Sequence, residues 1–135
     1  MRFRKAETKM KMIIKNPGEK HLIKEMDDNL KLLQDMLGGY IEYPYIEPLH
    51  KQNIAMIVNE EGKLFNLPPS ILLIHDGEVC DMIAGSAIFV GLKYTEEGIE
   101  NTDLTNEQIE FINKLINYNS FGMTKEGQVI PTMQI

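Results

Sequence analysis

The sequence predicts an α+β domain: an antiparallel or mixed sheet of about five strands with two helices, over about residues 28–37 and 106–117. Three observations predict it. Apolar residues recur at helical spacing in two stretches, Met26-Leu30-Leu33-Leu37 and Ile109-Ile112-Ile116. Between and around them, short apolar or alternating runs are separated by Gly, Pro, Asn and Asp, the pattern of strands and turns. A chain of 135 residues, 43% hydrophobic and 25% charged, suits one domain with its own core. Each helix carries a single apolar stripe, so each is expected to pack on sheet.

In chain order, residues 1–9 form a flexible basic extension. The domain spans 10–117, and 118–135 is a Gly- and polar-rich tail, loose or docking as a short strand on the domain or a neighbour. Met10–Lys15 is a strand closed by the turn Asn16-Pro17-Gly18-Glu19, and His21–Lys24 returns as a second. Asp27, Asp28 and Asn29 stand where the first helix needs a cap, and Gly38-Gly39 stops it. Tyr40–Ile46 is a strand with Ile41, Tyr43 and Tyr45 on one side and Tyr40 and Glu42 on the other. Pro44 puts it at an edge or bends it. Gln52–Val58 is apolar on both faces and so belongs centrally. After the turn Asn59–Lys63 and an irregular loop at Leu64–Ser70, Ile71–Ile74 is a short strand or helical turn. Asp76-Gly77 makes a tight turn, and Met82–Leu92 is a further strand whose Gly85, Ser86 and Ala87 admit a close neighbour. Thr105 and Gln108 form a capping box, with Leu104 and Ile109 as its staple.

Charge is unevenly placed. Residues 1–24 hold eight Lys or Arg against two Glu, and the rest hold six against eighteen Asp or Glu. Such an acidic body argues against a phosphate-tracking DNA-binding face, and no direct DNA binding is expected. No apolar run is long enough for a membrane span or a secretory signal, and the single Cys80 permits no internal disulfide. A cytoplasmic protein is expected. His21, His50 and His75 lack metal-ligand spacing. Ser86 is in no nucleophile elbow, and Cys80 is blunted by Glu78 and Asp81. No Gly-rich phosphate loop is present. Glu61-Gly62-Lys63 with Glu47 upstream resembles a metal-dependent nuclease pattern, but Gly62 puts it in a turn rather than on a strand. With no complete catalytic motif, no metal and no cofactor are assigned, and a binding protein is expected ahead of an enzyme.

Gly38-Gly39-Tyr40-Ile41-Glu42, then Asn59-Glu60-Glu61-Gly62-Lys63-Leu64 and Leu67-Pro68, resemble a family of small uncharacterised proteins encoded mainly by phages, plasmids and bacteria carrying them. The resemblance covers roughly residues 11 to 115. In that family an asparagine usually follows the Leu-Pro shortly; here Pro69 and Ser70 stand there. The setting implied is inhibition of host defence, and two functions follow from it. One is sequestration of a small nucleotide-derived signal, with Tyr40, Tyr43 and Tyr45 to stack and backbone N–H groups near Gly39 and Gly62 for phosphates. The other is inhibition of a host nucleic-acid-handling or defence protein through the acidic face. A metal-dependent hydrolase is the third. The candidate ligand-binding residues are Gly39, Tyr40, Glu42, Tyr43, Asn59, Gly62 and Lys63. Tyr40 and Glu42 are expected to lie near Asn59 and Lys63, because the two motifs flank strands that should pair. The aromatic edge at Tyr40–Ile46, with the apolar Val129, Ile130, Met133 and Ile135, predicts a homodimer.

Overall fold

The computed structural model describes residues 9–124 and 127–135; the basic extension expected at residues 1–9 falls outside them but for Lys9. The elements are β1 (Lys9–Lys15), β2 (Leu22–Asp27), α1 (Leu30–Leu37), β3 (Ile41–Glu42), α2 (Glu47–His50), β4 (Ile54–Asn59) and β5 (Pro69–His75). They continue with β6 (Glu78–Ala84), β7 (Ala87–Thr95), β8 (Gly98–Thr102), α3 (Asn106–Leu115), β9 (Ile116–Met123) and β10 (Val129–Gln134). The α+β class holds, but the count does not. Instead of one sheet of about five strands with two helices, the described residues form two sheets and three helices.

The first sheet has six strands in the order β2-β1-β7-β4-β3, with β8 also paired to β7, and all its pairings are antiparallel. The second has four, in the order β6-β5-β10-β9, and is mixed because β10 runs parallel to β5. One core lies between the sheets and under α3, joining Ile13, Val58 and Phe89 to Ile71, Leu73, Ile83, Met133 and Ile112. A second lies between the opposite face of the first sheet and α1, with Met12, Ile57, Ile88, Leu33 and Leu37. The first sheet is therefore covered on both faces, which is why every residue of β4 is buried. Burial of Leu33 or Leu37 stabilises the α1 packing by about 2 kcal/mol each.

Local signals act as their chemistry requires. Asn29 Oδ1 accepts from Leu32 N at 3.0 Å to start α1, and Gly38 at φ 83° ends it. The helix begins two residues after the expected Asp28, because Asn29, not an aspartate, caps it. At α3, Thr105 and Gln108 exchange the reciprocal bonds of a capping box at 3.1 and 2.9 Å. That helix ends at Leu115, because Ile116 is extended (φ −82°, ψ 112°) and opens β9.

Two expectations are corrected. The Tyr40–Ile46 strand shrinks to Ile41–Glu42: Pro44 has no N–H to donate, and α2 starts at Glu47-Pro48. Met82–Leu92 is not one strand but the end of β6 and the start of β7, in different sheets. Gly85 stands at φ +87° between them, its N–H donating to Pro68 O at 2.6 Å. For the expected tail, the described residues show its docking alternative, on the domain itself: β10 lies between β5 and β9 with Met133 fully buried. The alternation of β10 is broken by a register shift at Pro131/Thr132, which hides the strand from a reading of spacing alone.

Candidate functional site

The end of α1 and the end of β4 meet. Gly38 N and Gly39 N both donate to Gln34 O, at 2.8 and 3.0 Å, which closes the helix and turns the chain into β3. There Ile41 faces Asn59 and Glu42 faces Val58 across the ladder. Asn59 is buried, and its amide serves both motifs. Nδ2 donates to Leu37 O at 2.9 Å, and Oδ1 accepts from Glu61 N at 2.7 Å. Glu60 N adds a bond to Tyr40 O at 2.8 Å. A Cβ on Gly39 would stand 3.2 Å from Asn59 Nδ2, so glycine there leaves room for the latch. A Cβ on Gly62 would stand 2.5 Å from the Ala84 carbonyl oxygen, so Gly62 lets the turn lie directly against β6. Lys63 on that turn pairs with Asp81 of β6.

Asn59 and Glu61 form a ridge with a depression on each side. One, of about 380 Å³, lies between β3 and β6; Glu42, Glu60, Lys63 and Asp81 stand around a floor of Val58, Leu73 and Ile83. The other, of about 570 Å³, is lined by Lys31, Gln34, Asp35, Gly38, Gly39, Tyr40 and Phe65. Tyr40 and Phe65 are 69% and 62% exposed, so much of each side chain is within reach of a ligand.

Of the seven candidate residues, Gly39, Tyr40, Glu42, Asn59, Gly62 and Lys63 gather around this ridge. Tyr43 does not. It packs against the core on the α1 side, and its hydroxyl accepts from Asn101 Nδ2 at 3.2 Å. Burial pushes that hydroxyl up to about 12; the Asn101 bond works against the rise and the charge of Asp28 adds to it. Tyr45 is exposed but leans on His50, with ring centroids 4.9 Å apart. The backbone N–H groups of Gly39 and Gly62 are already engaged, by Gln34 O and Asn59 O, and so are not open to phosphate. The α1 terminus at the ridge is its carbonyl end, with the sign that repels anions.

Phe65 and Asp81 are participants that sequence reasoning missed. Phe65 carried no clear signal, since spacing in the irregular Leu64–Ser70 loop does not tell an exposed ring from a buried one. Asp81 carried none, since its place depends on β6 crossing over the turn. Glu47 lies on α2 beside His75 and Phe111, away from Glu61 and Lys63, which separates the parts of the nuclease-like pattern. Among the described residues no group of three or more His, Cys, Asp or Glu could hold a metal ion, and no helix is long and apolar enough to cross a membrane.

A family model described as a domain of unknown function, DUF3846, matches residues 10–117. The chain belongs to this family. No curated protein and no solved structure matches it. The DUF3846 match takes in β1 to β8 and all three helices, and thus both motifs of the ridge, and stops two residues into β9.

Proposed function

We propose that this DUF3846 protein is a non-enzymatic binding protein that inhibits a partner protein by occupying it, with the surface on either side of Asn59 as its contact face. The observation that carries this reading is the latch. Two segments remote in sequence are fixed against each other by a buried amide, and they hold Tyr40, Leu64 and Phe65 exposed around open depressions. Rigidly held, exposed aromatic and apolar side chains suit recognition of a partner at low entropic cost. Charge selects its sign: among the described residues, the depression between β3 and β6 has four carboxylates, Glu42, Glu60, Glu61 and Asp81, against the single ammonium of Lys63. A basic, nucleic-acid-handling protein complements that field. The resemblance to phage- and plasmid-encoded proteins supports a setting in which the partner belongs to host defence.

Sequestration of a nucleotide-derived signal is the second reading, favoured by one observation: Tyr40 and Phe65 line the same depression, as a planar ring would require. The engaged backbone N–H groups and the carbonyl end of α1 weigh against its phosphates.

A photo-crosslinking residue placed at Tyr40 or at Leu64, with Glu107 on α3 as control, tests the proposal in cells making the protein. A defined protein adduct from the first two positions alone is expected. No adduct, or the same adducts from Glu107, overturns the proposal. Excess absorbance near 260 nm in the purified protein favours the second reading instead.

A further inference from the structure

Resting on that reading, we infer that the groove between β3 and β6 takes an extended, Arg- or Lys-bearing segment of the partner, which pairs with the open edge of β6 and displaces Lys63 from Asp81. β3 is the outermost strand of one sheet and β6 the outermost strand of the other, and the groove separates them. Among the described residues no strand lies beside the outer side of β6; the Gly62 turn packs on it only at Ala84, and the Met82 N–H donates to Asp81 Oδ1 at 2.7 Å, a bond that an incoming strand takes over when it draws Asp81 away. An open edge presents a row of backbone donors and acceptors to any extended chain. The charges of β6 decide which chain. Glu78 and Asp81 are exposed on it, and Glu42, Glu60 and Glu61 stand nearby. That sign repels a second copy of this acidic chain and attracts a basic strand.

Lys63 occupies the place where a partner's cation would go. Among the described residues it is the only cation lining the groove, and its pair with Asp81 is exposed on both sides, so the ammonium exchanges readily with an incoming one. A guanidinium has the advantage, since it meets a carboxylate with two parallel hydrogen bonds where an ammonium makes one. The buried floor of Val58, Leu73 and Ile83 receives the apolar side chains that alternate with the basic ones.

The test uses two labelled ten-residue peptides, one alternating Arg with Val and Thr and one with Glu in place of Arg, titrated into the full chain by fluorescence polarisation. Hydrogen exchange locates the bound peptide. The basic peptide is expected to bind, to slow exchange at Val79–Met82, to bind several-fold tighter to Lys63→Met and about tenfold weaker to Asp81→Asn. Glu61→Gln, which leaves the β6 ion pair intact, should weaken it as well. Equal binding of the acidic peptide, weaker binding to Lys63→Met, or protection elsewhere overturns the inference. If Leu64 still yields its protein adduct, strand addition alone has failed; if that adduct is lost too, the binding reading falls with it.

Discussion

The side-chain amide of Asn59 donates to the carbonyl of Leu37, joining the end of β4 to the end of α1 across 22 residues of chain. The same side chain accepts from Glu61 N, so it closes the turn that follows it while holding the helix that precedes it.

Asn59→Ala leaves a buried carbonyl and a backbone N–H unpaired and is expected to cost about 2–3 kcal/mol. Asn59→Asp should not rescue the loss, because a carboxylate would face the Leu37 carbonyl where a donor is needed. Urea denaturation of the three chains gives the comparison, and an aspartate variant as stable as the parent would remove the latch from the account.

Gly62→Ala drives a methyl group to 2.5 Å from the Ala84 carbonyl oxygen. Backbone cannot swing aside as a side chain can, so a loss of about 1–3 kcal/mol is expected. Exchange should also quicken at the β6 amides that the turn rests on. An unchanged melting curve would mean that the turn can lift away from β6 freely.

Gln108 has two tasks. Its carbonyl oxygen completes the α3 capping box, and its amide nitrogen donates to Gln52 O and Asn53 O at 2.9 and 3.0 Å. Gln108→Ala should therefore cost about 2 kcal/mol, against about 1 kcal/mol for Thr105→Ala. Thermal melts of the two variants side by side check the order.

Lys15 is 1% exposed at the end of β1, and its ammonium donates to Asn16 O at 2.6 Å. Burial lowers its pKa from 10.5, while the charge of Glu19 works the other way. Between the lowered folded value and 10.5 the unfolded chain binds more protons, so the stability contributed by this group rises with pH across that window. Below it, both states are charged and the full penalty of burying an ammonium remains. Lys15→Met is expected to be more stable than the parent at neutral pH, with the advantage shrinking toward pH 10.5. Denaturation midpoints at pH 7 and pH 10 measure it; a gap that widens with pH would refute the assignment.

Signals that act within a few residues could be read from the chain alone: the Asn29 and Gly38 ends of α1, the Thr105–Gln108 box, and the Asp76-Gly77 turn with both residues at positive φ. The approach of Tyr40 and Glu42 to Asn59 followed from expecting their strands to pair, as they do. Hydropathy is silent where a single backbone angle redirects an apolar run, as at Gly85, so two sheets looked like one. It is equally silent on β10, whose burial comes from β5, some sixty positions earlier in the chain. Asp81 and Phe65 escaped for the same reason, since each joins the site only through packing across elements.

The parallel pairing of β10 with β5 imposes an order of assembly. β5 and β6 can form their hairpin early, but β5 carries Ile71-Leu72-Leu73-Ile74 and exposes one side until residues 129–134 are available to cover it. During synthesis that interval lasts as long as some fifty further residues take to emerge, a matter of seconds. Over that time this stretch is open to other chains, rich in β-branched and leucine side chains and without a charge. Fragments cut after residue 117 would keep it in that condition permanently, and they should aggregate where the whole chain does not.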